Sequence, residues 1–169
     1  MGKLGSTIGL LLLLILPFEN NAQDINGLLK DAQQLESAFK EPEALQKYLD
    51  VVRTQPTNLT ALIKISELYS ILGKHQGTKD KQKEYYRNAR VYAQKALGVN
   101  PNSSDANVVM ALAMGRMALI SSGDDKVKAI VLFTLFIQKC LERMDKGAFS
   151  RASRTRHNVS KLILYSFRL

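Results

Sequence analysis

Apolar side chains along this chain recur three and four positions apart. Over residues 24–39, Ile25, Leu28, Leu29, Ala32, Leu35 and Phe39 form one stripe at helical spacing. A second stripe, Ala44, Leu45, Tyr48, Leu49 and Val52, follows Pro42, which suits a helix start because the N–H it lacks has no partner there anyway. The stretches between Pro42, Pro56 and Pro101 are rich in Ala, Leu, Lys, Gln and Glu, the better helix formers. No run alternates apolar and polar residues long enough to argue for a sheet. The pattern predicts an all-α fold.

The first residues depart from that pattern. Lys3 precedes an uncharged stretch over residues 4–18, with Leu10-Leu11-Leu12-Leu13-Leu14-Ile15-Leu16 at its centre, and Pro17, Glu19, Asn20 and Asn21 then lead to Ala22. A positive start, an apolar centre of about 7–15 residues, a polar break and a small residue describe a secretory signal peptide. The expectation is a signal peptide over residues 1–22 and a mature chain that begins at Gln23 and is secreted or periplasmic. The alternative is an uncleaved membrane anchor, against which stands the roughly 20 apolar residues that a spanning helix wants. With no Cys near the junction, bacterial-type lipidation of a new N-terminus is excluded.

Past the leader the chain repeats itself. A shift of 45 residues lays Ala44 over Ala89, Pro56 over Pro101 and Ala61 over Ala106, and Val51, Ile65 and Tyr69 over Ala96, Met110 and Met114. Each unit reads helix, turn, helix, with Gln55-Pro56-Thr57-Asn58 and Asn100-Pro101-Asn102-Ser103 as the turns. Proline forces the residue before it out of helical geometry, and the Asn or Ser after it can cap the next helix. Small residues, Ala61, Ser66, Ala89 and Ala96, allow close helix packing, while Leu62, Ile65, Leu68 and Tyr69 supply volume. One such hairpin cannot bury its apolar face, so the units must stack.

Residues 58–101 resemble a tetratricopeptide repeat (TPR). The slots for a large residue, Leu-Gly and Tyr on the first helix read Leu62, Ile65-Ser66 and Tyr69, with Gly73 at the helix end. Those of the second helix read Ala89, Tyr92 beside Ala93, Ala96 and a closing Pro101. The usual period is about 34 residues, so about 11 are inserted here over residues 74–84, a charged stretch expected to lengthen the second helix and its loop. The following stretch, with Met110-Ala111-Leu112-Ala113-Met114-Gly115-Arg116, then Ser121-Ser122-Gly123 and Lys126-Val127-Lys128, is similar to the helical domain of the regulator-of-microtubule-dynamics family. The resemblance implies antiparallel helical hairpins stacked as a short TPR-like solenoid over residues 23–128, and a role in protein–protein interaction.

Beyond Lys128 the character changes. Residues 129–137 are apolar on every face, and Gln138 onward regains only a faint helical pattern. From residue 143 onward, Arg143, Lys146, Arg151, Arg154, Arg156, Lys161 and Arg168 face Asp145 alone. Residues 129–169 therefore stand apart as a divergent apolar helix and basic tail, which true divergence or a shifted reading frame would equally produce.

Composition narrows the chemistry. Among 169 residues, 24 Lys+Arg against 15 Asp+Glu give a formal charge of +9, with one Cys, two His and no Trp. Cys140 alone can make no intrachain disulfide or common thiolate metal site, and on an apolar helix it reads as a small core residue. His75 and His157 have no acidic neighbour in sequence, and no Gly-rich phosphate loop or metal-spaced cluster is present. An enzyme, a metal and a cofactor are all disfavoured.

The inner face of the hairpins is the better candidate site, because the first helix of each pair lines the concave side of a helical solenoid. By periodicity its exposed positions are Thr60, Ile63, Lys64, Glu67 and Ser70 on one helix and Asp105, Val108, Leu112 and Arg116 on the next. Glu67 argues against a clamp for a terminal carboxylate, and Ile63, Val108 and Leu112 would equally suit packing against a neighbouring helix. Two basic stretches compete. Lys74, Lys79, Lys81, Lys83, Arg87 and Arg90 are interleaved with Asp80 and Glu84 and read as a solvated face with spaced charge pairs. The tail, with Arg151, Arg154 and Arg156, suits an anionic membrane surface. Nucleic acid is disfavoured by export and by the lack of an aromatic platform in the tail. The expected function is that of an exported, non-enzymatic adaptor binding a protein or peptide, or alternatively a membrane-associated protein held by its N-terminal segment and basic tail.

Overall fold

The computed structural model describes residues 24–146; the leader and the basic tail beyond Lys146 lie outside the described residues, as does the Cys140 side chain. The described residues form helices only: α1 (Ile25–Ser37), α2 (Glu41–Thr54), α3 (Leu59–Lys74), α4 (Lys79–Val99), α5 (Ser104–Ile120) and α6 (Gly123–Lys146).

Short polar side chains start these helices by accepting from otherwise orphaned backbone N–H groups. The Asp24 carboxylate accepts from Asn26 N, the Asn58 side chain from Ala61 N at 3.0 Å, Thr78 from Lys81 N at 3.3 Å and Ser103 from Ala106 N at 3.2 Å. Pro42 sits in the first turn of α2, as its missing N–H requires, with Glu41 and Glu43 beside it. Both proline turns fall between helices. The inserted stretch is mostly helix, since α4 begins at Lys79 and runs for 21 residues against 14 in α2.

The first helix ends sooner than the apolar stripe does. Phe39 has φ +57° and is 83% exposed, so it belongs to the turn and not to the buried stripe. Lys40 N donates to Leu35 O at 2.9 Å and Phe39 N to Glu36 O at 3.0 Å, closing the helix in the pattern that ordinarily carries glycine at the left-handed position.

Helices adjacent in sequence pack on one another throughout, and α3 also meets α5. Three hairpins result, α1/α2, α3/α4 and α5/α6, with the first helices of the second and third in contact. Tyr48, Val51, Ile65 and Leu68 anchor one apolar cluster with Leu28, Ala32 and Ala44. Val109, Met110, Met114 and Ala118 form a second with Ala93 and Ala129. Leu62, Ala96 and Ala106 make up a third, flanked by Tyr92, Ile63 and Leu97, which also border the other two. Ala61, Ser66, Ala89 and Ala96 are all wholly buried, so methyl-sized side chains set the distance between helices. At Gly73 even a methyl would be too much: an added Cβ would lie 2.6 Å from Tyr86 Cε1.

The apolar stretch over residues 129–137 uses one side of α6. Ala129 is buried and Leu132, Phe133 and Phe136 pack against the second cluster, whereas Ile130, Val131 and Leu135 stay exposed. No helix among the described residues is long and apolar enough to cross a membrane.

Candidate functional site

The first helices of the hairpins carry the nine positions expected to face a partner, and the fold treats them unequally. On α3, Thr60 is exposed, whereas Ile63 is half-buried against both the second and the third apolar cluster. Ser70 is only 1% exposed and its hydroxyl donates to Ser66 O at 3.1 Å. On α5, Asp105 is exposed but Val108 is 7% exposed. Ser70 and Val108 are therefore corrected from exposed to buried positions. The physical reason is that α3 and α5 each have neighbours on several sides, so their buried surface is wider than a single stripe.

Lys64 and Glu67 are engaged within the fold. Lys64 Nζ lies 2.8 Å from Glu36 Oε1 on α1 and 3.2 Å from Glu67 Oε2, and the Tyr48 hydroxyl of α2 donates to Glu36 Oε2 at 2.7 Å. This network ties α1, α2 and α3 together. Burial pulls the Lys64 pKa down, but Glu67 and Glu36 outweigh it and hold it above the ordinary lysine value. Burial, with the neighbouring Glu36, pushes the Tyr48 hydroxyl well above the ordinary tyrosine range.

Thr60, Asp105, Leu112 and Arg116 remain outside that network. Arg116 is half-buried, and its Nε is shielded from solvent without a hydrogen-bond partner among the described residues. Its charge stands near the Tyr86 hydroxyl, opposing the upward shift that burial imposes there. A guanidinium held in a partly desolvated place with unused donors can take a carboxylate or similar planar anion.

A second feature escaped the sequence pattern. Helices α4 and α6 flank a cleft of about 710 Å³ over the end of α5, with Lys83, Arg87, Arg90 and Lys128 on its sides and Met114, Met117 and Leu132 among its apolar lining. The spacing of Lys83, Arg87 and Arg90 along one face of α4 is visible in the sequence. That α6 brings Lys128 and Val131 opposite them depends on tertiary packing. The expected charge pairs with Asp80 and Glu84 do not form: among the described residues, ion pairs within 4.0 Å join Arg53 to Asp50 and Lys64 to Glu36 and Glu67.

Among the described residues no group of three or more His, Cys, Asp or Glu side chains could hold a metal ion. The described residues form a helical domain. No curated protein matches the chain. Residues 28–160 match the family described as Regulator of microtubule dynamics protein 1-3, a span that runs through Lys128 and covers well over half of the sequence. The chain belongs to the regulator of microtubule dynamics protein 1-3 family.

Proposed function

We propose that this protein is a non-enzymatic adaptor that holds a protein or peptide segment along α3 and α5, with Arg116 as the polar anchor. The observation that carries this reading is the half-buried Arg116, whose Nε has no partner among the described residues. Arg116 is only half-buried, and a carboxylate on a bound segment that paired with its accessible part would contribute about 1.5–3 kcal/mol as a charge-assisted hydrogen bond. Leu112, one turn earlier on the same helix and half-buried, offers apolar contact beside it. Arg116→Ala, folded by circular dichroism, should lose a partner captured by the wild-type chain, with affinity down by about tenfold or more. Equal capture by both proteins would exclude the anchor.

The leader pattern over residues 1–22 supports export of the adaptor, and the alternative keeps that segment as an anchor working with the basic tail. N-terminal sequencing decides: Gln23 as first residue supports export, and Met1 in the membrane fraction supports the anchor. A second reading of the partner follows from the family name, which points to microtubules. Co-sedimentation of the chain with polymerised tubulin, at low and high salt, tests it directly.

A further inference from the structure

The cleft between α4 and α6 has its own chemistry, on other side chains than the α3–α5 face. We infer that it is a second docking site, one that takes an acidic amphipathic segment of a partner protein. Lys83, Arg87 and Arg90 stand at successive helical turns of α4, Lys128 stands across from them on α6, and Asp125 is the one acidic residue of the lining. None of the four cations has a carboxylate within 4.0 Å among the described residues, so their charge is available to a ligand. Between them the floor is apolar. Half-buried Met117 brings an unbranched, polarisable side chain that adapts to varied apolar partners, and Met114 beneath it belongs to the second apolar cluster. Val127 and Val131 extend that surface while 61% and 52% exposed.

Charge complementarity selects the occupant. Of the chain's own remaining segments, residues 147–169 carry basic residues and no Asp or Glu, so the cleft repels them, and residues 1–23 carry a single carboxylate, Glu19, against Lys3, too little charge to match four cations. A second copy is disfavoured in the same way, because the whole chain has a formal charge of +9. A flat headgroup layer would meet the cations but could not reach an apolar floor recessed between two helices. Nucleic acid would use the cations and leave the apolar floor at Met117, Val127 and Val131 without a partner. A segment with carboxylates along one edge and leucine-like side chains on the other satisfies both halves of the cleft.

The test uses the full chain and a fluorescein-labelled 16-residue helical peptide with Glu at every turn and Leu on the opposite face, followed by fluorescence anisotropy. Saturable binding is expected that weakens with salt and falls by about tenfold in Arg87→Glu/Arg90→Glu, whose folding circular dichroism checks. The same peptide with Ser in place of Leu should bind about tenfold more weakly, since the floor is then unused. Arg116→Ala should leave the affinity unchanged, which separates this site from the α3–α5 face. The inference is overturned if the charge reversals have no effect, if the Ser peptide binds equally well, or if a single-stranded oligonucleotide or anionic vesicles bind the cleft more tightly than the peptide.

Discussion

The Ser66 hydroxyl on α3 donates a 2.8 Å hydrogen bond to the Ala89 carbonyl on α4, and both residues are wholly buried. Two helices approach this closely because one side chain is a hydroxymethyl and the other a methyl. Ser66→Ala removes the bond but keeps the spacing, and should lower stability by about 1 kcal/mol in urea unfolding. Ser66→Leu forces the helices apart and should cost about 1–3 kcal/mol or more. If Ser66→Leu were as stable as the wild type, the close approach would not be a feature of the folded protein.

The contact between Gly73 and Tyr86 makes a similar demand. A methyl at Gly73 would sit 2.6 Å from Cε1 and 2.9 Å from Cδ1 of a ring that is itself buried. Gly73→Ala should therefore destabilise by about 1–3 kcal/mol, although alanine is the better helix former. In the double variant Gly73→Ala/Tyr86→Leu the two costs should sum to less than their separate values, because removing the ring makes room for the methyl. A thermodynamic cycle measures that coupling.

Phe39 presents the opposite case, a residue whose replacement should help. Its φ of +57° lies in the left-handed region, and its ring is almost wholly exposed, so little packing offsets the backbone cost. Phe39→Gly should raise stability by about 1 kcal/mol, seen as a rise in Tm of several degrees. A fall in Tm would mean that the ring packs on something in solution.

The Glu36–Lys64–Tyr48 network sets an alkaline limit. Lys64 and Tyr48 both have pKa values raised in the folded chain, so both favour folding in their protonated forms. That contribution is complete below their unfolded values, about 10, and declines as pH rises from there through the folded values. Stability should thus fall above about pH 10, and Glu36→Gln should flatten the fall while costing about 1 kcal/mol at neutral pH. Urea midpoints at pH 7, 9 and 11 give the comparison.

Much of the fold is legible in the sequence, because helix starts and helix spacing are local properties. Asn58 and Ser103 cap where the proline turns place them, and Leu62 and Ala89 are buried as the repeat requires. The site is less legible. Periodicity assigns each helix one buried stripe, which suits α1 and α2 but not α5, where Asn107, Val108, Val109, Met110 and Ala111 are buried in succession. Val108 is buried for that reason, and Ser70 because α3 is likewise packed on several sides. Phe39 follows the stripe's spacing, yet α1 is closed at Ser37 by backbone hydrogen bonds that spacing does not reveal. The α4–α6 cleft depends on two helices about 40 residues apart in sequence, and no local pattern joins them.

Leu62, Ala96 and Ala106 hold a place whose importance exceeds their size. Because Tyr92 borders both this group and the first cluster, while Ile63 and Leu97 border both it and the second, the hairpins share an interior instead of each owning one. A chain built this way should melt as a single cooperative unit. Truncating Leu62 would then act less as a local wound than as the cutting of a hinge pin, letting the N-terminal and C-terminal halves come apart at different temperatures.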